Sequence, residues 1–358
     1  MWRTSVAVGF ALLGAFLASA QPSPYPIPQI QLRAGDRISV PSLPISGGGT
    51  GPIRCDMRGN VYMRPVSPKA NGLLAPVVRI STDGQTTTVF DVSTVSEVKA
   101  ASVYEIYDFA VRKDGAVLQL VAMTSKDEQA IVAIIEMDGE DKSSSFVSID
   151  SQFAPRQIGP LPSGMFLISG LRRSTRSEGG RTLQSSTPFV AIFDSRGKLV
   201  RELHLAEDVK VPDIDTAKPD NPDTSGMRAV DLSQLVVSDD GTAYFLRAGK
   251  PPRIFAISST GEVISSYLVP VPSEDASTPS IMYASGRLAF DFFVPAGADD
   301  PRMNLTIRVV DAQTGQVFWD YVPAKEIYGI PACYSGQDFT FLQGTADRRL
   351  AFLKVSPR

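Results

Sequence analysis

The chain has 358 residues, 43 % of them hydrophobic and 20 % charged, with a formal net charge of -3. That apolar content can build a core and excludes a chain disordered by composition. The near balance of charge leaves no broad attraction to nucleic acid or to an anionic membrane surface.

The first twenty residues stand apart. Arg3 precedes an apolar run over residues 6–17, and Ala18-Ser19-Ala20 follows as a small-residue cleavage site. This pattern reads as a signal peptide over 1–20, its apolar run shorter than a membrane span requires. The expected product is exported, periplasmic or extracellular, and free of the membrane after cleavage. Residues 21–33 read as an N-terminal linker.

From residue 34 onward no stretch of a dozen residues carries the helical period. Short runs rich in Val, Ile, Phe, Tyr and Thr are broken by Gly-containing turns, which is the strand-and-hairpin signature. The first strand is Ala34-Gly35-Asp36-Arg37-Ile38-Ser39-Val40. After it one frame recurs: an apolar strand, a turn with Gly, a second strand, a variable loop, a third strand, a second turn, and a more polar fourth strand. The first-turn glycines are Gly59, Gly115, Gly164, Gly241, Gly286 and Gly336; the second-turn glycines are Gly84, Gly139, Gly197, Gly261 and Gly315. The unit around Asp240-Gly241 is the clearest, with strands over 235–238, 242–247, 253–258 and 262–269. Asp-Gly marks a hairpin because Gly accepts a positive φ. The repeat length suits a four-stranded propeller blade of about 40–50 residues. The gap between Gly164 and Gly241 is longer and holds two insertions, 171–188 and 207–231, both read as loops. A seventh blade would need strands hidden in 207–231.

The sixth unit has three strands, over 330–333, 338–342 and 350–355, and the strand 34–40 has no unit of its own. It is expected to complete the last blade. The predicted fold is therefore all-β: a six-bladed β-propeller over residues 34–358, with four-stranded antiparallel blades and the last blade closed by the N-terminal strand. Such sharing removes exposed sheet edges. The two cysteines, Cys55 and Cys333, lie just before the first-turn glycines of units one and six, which are neighbours in a closed ring. In an exported chain they are a candidate disulfide across the closure. Two buried free thiols are the other reading.

The segment VSDDGTAYFLRAGKPPRIFAISSTGEV resembles NHL-type blades and the wider six-bladed propeller superfamily, and IRCDMRGNVYMRP and FVAIFDSRGKLVREL look similar. The resemblance implies architecture but not activity, since such propellers include binding modules, scaffolds, lactonases and lyases.

His204 is the only histidine, placed on an outer strand between Leu203 and Leu205, so a His-dependent nucleophile or a His/Cys zinc site is not expected. Ser81-Thr82-Asp83-Gly84-Gln85-Thr86 resembles a shortened Asp-box of sialidases and is read as a hairpin turn. Asp56, Asp108, Asp231 and Asp291 are candidate carboxylates for a hard cation such as calcium at the channel mouth. Arg172, Arg173, Arg176 and Arg181 make the first insertion cationic, and the second is rich in Asp and Pro. No catalytic, cofactor or metal residue is assigned. The expectation is an exported, non-enzymatic binding or scaffold propeller whose partner is a protein, a glycan or a small molecule. The alternative is a divalent-cation-dependent lactonase or hydrolase.

Overall fold

The computed structural model describes residues 26–44, 52–65, 74–139, 143–149, 153–178, 181–205, 211, 214–215, 225–297, 300–346 and 349–358. The signal peptide expected over 1–20 lies outside them. The chain opens with β1 (Gln29–Pro44). The first blade follows as β2 (Ile53–Cys55), β3 (Val61–Met63), β4 (Val77–Ile80) and β5 (Thr87–Phe90), and a short helix α1 (Ser96–Ala100) leads on from it. The second is β6 (Val103–Val111), β7 (Val117–Thr124), β8 (Ala130–Met137) and β9 (Ser144–Ser148). The third is β10 (Ala154–Pro160), β11 (Phe166–Glu178), β12 (Arg181–Phe193) and β13 (Leu199–Glu202), followed by the two-residue β14 (Ile214–Asp215) and helix α2 (Ser225–Asp231). The fourth is β15 (Gln234–Val237), β16 (Ala243–Arg247), β17 (Arg253–Ile257) and β18 (Val263–Leu268). The fifth is β19 (Ser280–Ala284), β20 (Arg287–Gly297), β21 (Asp300–Asp311) and β22 (Val317–Pro323). The sixth begins β23 (Ile330–Tyr334), β24 (Phe339–Gly344) and β25 (Arg349–Pro357).

Within each unit the strands pair antiparallel in chain order. The fourth strand of the sixth unit is β1, which pairs antiparallel with β25 from Leu32↔Pro357 to Pro44↔Arg349. Its first residues, Gln29 to Leu32, also run parallel to β22 of the fifth blade, from Gln29↔Asp320 to Leu32↔Pro323. The strand thus begins inside the segment read as a linker and joins two blades into one sheet. The innermost strands β2, β6, β10, β15, β19 and β23 lie side by side in that order, and β23 returns to β2. Among the described residues the propeller therefore has six blades in a closed ring.

The core explains the ring. A separate apolar cluster fills each space between neighbouring blades. Side chains alternate across a strand, so an inner strand feeds two clusters at once. In β16, Tyr244 and Leu246 pack toward the fifth blade, while Ala243 and Phe245 pack toward the third. This is why such strands read as continuous apolar runs and not as apolar/polar alternation.

Several of the turns share one form, shown by Gly241. The Gly241 N–H donates to the Ser238 carbonyl (3.0 Å), Asp240 Oδ1 accepts from the Thr242 N–H (3.0 Å), and Gly241 sits at φ 88°. A Cβ there would be strained by that φ and would also meet Pro162. Residues 81–86 form the same turn between β4 and β5: the Gly84 N–H donates to Ser81 O (2.9 Å), and Asp83 Oδ1 accepts from the Gln85 N–H (3.0 Å).

The first insertion differs from its reading as a loop. Residues 171–188 extend β11 and β12 into a long two-stranded arm, paired without interruption from Phe166↔Phe193 to Glu178↔Arg181. The second insertion supplies β14, which pairs with β12 (Leu183↔Asp215, Gln184↔Ile214), and α2, which packs near β11. The two insertions therefore meet on one side of the third blade.

Candidate functional site

The six innermost strands enclose a central channel of about 1070 Å³. Its wall is largely apolar, with Ile53, Ala110, Ile158, Leu235, Ile281 and Ala332 each supplied by a different blade. The first turns of the blades form one mouth, which is charged. Arg112 contacts Asp114 (2.9 Å) and Glu136 (2.6 Å) there, and Lys113 reaches from the second blade to the backbone carbonyl of Asp239 in the fourth. Asp338, Lys354 and the exposed Met57 complete the rim. Burial pushes the Lys354 ammonium below its usual range, opposed by Asp338.

Cys55 and Cys333 face each other across the seam between the first and sixth blades, joined as a disulfide with Cα atoms 5.8 Å apart, inside the usual range for that bond. Both cysteines belong to the channel wall.

The four candidate carboxylates do not converge. Asp56 is the acceptor of its own turn: it takes hydrogen bonds from the Arg58 and Asn60 N–H groups (2.9 Å each), from Asn60 Nδ2 (2.7 Å) and from the Tyr62 hydroxyl (3.1 Å). Burial, then the charge of Asp56, pushes the Tyr62 phenol up to about 12. Asp108, fully buried on β6, accepts from Arg54 of the first blade (3.3 Å) and from the Ile158 N–H of the third (3.0 Å). Burial raises its pKa, and Arg54 opposes the rise. Asp231 ends α2 and pairs with Arg156. Asp291 is buried in β20 and accepts from the Ser280 N–H, and burial pushes its carboxyl up to about 6. Each carboxylate belongs to a different part of the ring and answers partners of its own. Among the described residues no three His, Cys, Asp or Glu side chains come together as a metal site.

His204 lies just past the end of β13 and not on the outer strand as read, and it is exposed, with buried Leu203 beside it. On the arm, Arg172 makes a two-pronged bond to Glu202 (3.0 Å on each oxygen) and lies 4.5 Å over the Phe189 ring, so it is a structural residue. Arg173 is exposed, and the side chains of Arg176 and Arg181 lie outside the described residues.

Sequence reasoning missed Arg54 and Arg64. Arg64, 4 % exposed, follows β3 and donates from Nη1 to the Ile106 carbonyl (2.6 Å). No motif surrounds either residue. The available signal was parity: in Ile53-Arg54-Cys55, the cysteine faces the sixth blade, so the arginine must face the second.

No protein-family model matches the chain, and no curated protein matches it. Among solved structures it is similar to a protein of unknown function from Bacteroides caccae, at 13 % identity and TM-score 0.43, over 80 % of this chain and 86 % of that one. It is also similar to the WD40 domain of Neurospora crassa Pan2, at 10 % identity and TM-score 0.42, over 91 % and 96 %. A third likeness is to YCF48 bound to D1 peptide, at 11 % identity and TM-score 0.38, over 94 % and 98 %. No helix among the described residues is long and apolar enough to cross a membrane.

Proposed function

We propose that the protein is an exported, non-enzymatic binding module built from NHL-like blades, and that it takes its ligand in the central channel through the mouth formed by the first turns. The observation that carries this is the channel itself: a cavity of about 1070 Å³ with apolar walls and a charged rim. Ligand sites are concave, mostly apolar, and carry a few polar groups that fix orientation. Turns on a rigid scaffold are also where binding residues commonly sit. A small molecule, or an apolar side chain presented by a protein or glycan partner, suits these walls. Catalysis by a bound cation would need converging oxygen ligands, and Asp56, Asp108, Asp231 and Asp291 stand on or next to separate elements. Export is the reading of residues 1–20.

The test is a thermal-shift screen of peptides, glycans and small apolar molecules against the mature chain, followed by calorimetry of the hits. Ala284 lines the channel beside a first turn; Ala284→Trp obstructs the mouth there and should weaken binding in a variant whose near-ultraviolet circular dichroism matches the parent's. Hits that bind this variant as well as the parent would overturn the channel as the site. Calcium-dependent turnover of an ester or lactone would overturn the non-enzymatic reading.

A further inference from the structure

The seam between the first and second blades holds guanidinium donors that no described residue accepts. Arg54 and Arg64 both reach the second blade, Arg54 to the Asp108 carboxylate and Arg64 to the Ile106 carbonyl. The Asp108 oxygens already accept from Arg54 and from the Ile158 N–H. Arg64 makes no ion pair among the described residues, and its Nε is buried without a hydrogen-bond partner. The nearest other carboxylate on β6, Glu105, is held by the Tyr107 hydroxyl (2.8 Å), and Tyr107 in turn lies under Arg156 of the third blade, on the far side of the sheet. The sequence segments 45–51 and 66–73, which flank β2 and β3, contain no Asp or Glu.

A buried guanidinium without a counter-charge is costly, and each guanidinium carries five N–H donors. Here Arg54 uses only Nη2, and Arg64 only Nη1, on described protein acceptors. These unused donors, with the Arg64 Nε that has no acceptor, suit an anion. A planar fork of donors matches a carboxylate or a phosphate, and the apolar channel wall favours the carboxylate of an apolar acid. Arg54 is part of the channel wall, and Arg64 lies behind it, buried.

We propose that Arg54 and Arg64 form a carboxylate-binding site, entered from the channel at the seam of the first two blades, and that the channel's ligand is an acid whose carboxylate is held there. This rests on the channel being the ligand site and adds the chemical class of that ligand.

The probe is sodium acetate, compared with sodium chloride at equal ionic strength. Acetate should raise the melting temperature of the mature chain saturably and more than chloride does. Arg64→Gln should lose this response, with binding weaker by about tenfold or more, as expected for removing hydrogen bonds to a charged group. Without acetate the variant should melt no lower than the parent, because it removes an uncompensated buried charge. A purely structural arginine would give the opposite result, a variant destabilised with or without acetate. If Arg64→Gln does not fold, saturation-transfer NMR from the parent protein to the acetate methyl reads the site directly. An equal response to acetate and chloride, no saturation transfer, or an unchanged response in Arg64→Gln would overturn the proposal. Acetate binding that fails while apolar ligands still enter the channel would sink this site alone. Acetate binding in a protein whose other ligands ignore Ala284→Trp would sink the channel reading instead.

Discussion

At the residue scale the buried polar groups carry the sharpest consequences. Asp291 is 2 % exposed and its carboxyl is pushed up to about 6 by burial, against about 3.9 in an unfolded chain. The folded state therefore holds the proton more tightly than the unfolded state. Stability falls as pH rises from about 4 to about 6, and above that the loss is constant at roughly 3 kcal/mol. Asp291→Asn keeps an oxygen for the Ser280 N–H and removes the charge. It should raise the melting temperature at pH 7–8, leave it nearly unchanged at pH 4, and flatten the profile between; thermal melts across that range check this. Arg308 and Asp320 are the contrasting case, a buried pair bonded through both prongs at 2.8 Å, with Arg308 also donating to the Pro270 carbonyl. Arg308→Met leaves Asp320 buried without its partner and should cost about 3–5 kcal/mol, read by denaturant unfolding. None of this was legible in the sequence. Asp56, Asp108, Asp231 and Asp291 are alike as letters, and their roles depend on partners such as Arg54, Ile158 and Arg156, most of them supplied by another blade or insertion.

At the element scale legibility follows the physics of each segment. The turns were legible because a positive φ singles out Gly, as at Gly59 and Gly241. The strand cores were legible because two-sided burial leaves unbroken Val, Ile and Phe runs, as in β8 and β17. The helices α1 and α2 were not, since five and seven residues are too few to display a helical period. The arm was misread because 171–188 is rich in Arg, Ser and Thr, with Arg173, Ser174 and Thr175 exposed; its strands pair with each other and bury little, so no apolar pattern marks them. The same fact makes the arm expendable to the ring. Replacing residues 174–185 by Asn-Gly closes the hairpin on the Arg173↔Ser186 pair with a turn suited to two-residue loops. The shortened protein should melt within a few degrees of the parent, as roughly expected for removal of exposed surface residues. Loss of cooperative melting would show that the arm belongs to the core.

At the scale of the whole molecule, the ring is locked twice near its closing blade. The strand β1 seals the outer side, with Leu32 and Val40 fully buried and bonds to both β22 and β25. The disulfide between Cys55 and Cys333 seals the inner side and encloses a sequence separation of 278 residues. The first blade depends on the second lock in particular. Its strands are three or four residues long, so it contributes few ladder bonds of its own, and the Asp108–Arg54 contact ties its other flank to the second blade. Cross-linking distant residues stabilises mainly by restricting the unfolded chain, by about 2–5 kcal/mol. Cys333→Ser, or reduction of the parent, should therefore lower the unfolding free energy by that amount, read as an earlier denaturant midpoint, yet leave a folded ring, because β1 still closes the sixth blade. Removal of residues 1–44 should do more, since it strips a strand from one blade and uncovers the edge of another. The two losses act on the same closure and should not add as independent sites do. In the oxidised truncated chain a weakened cooperative transition should survive. In the reduced truncated chain it should disappear, leaving a broad, probe-dependent melt by near- and far-ultraviolet circular dichroism. A sharp transition in that doubly unlocked protein would mean that the six interblade clusters hold the ring without either lock.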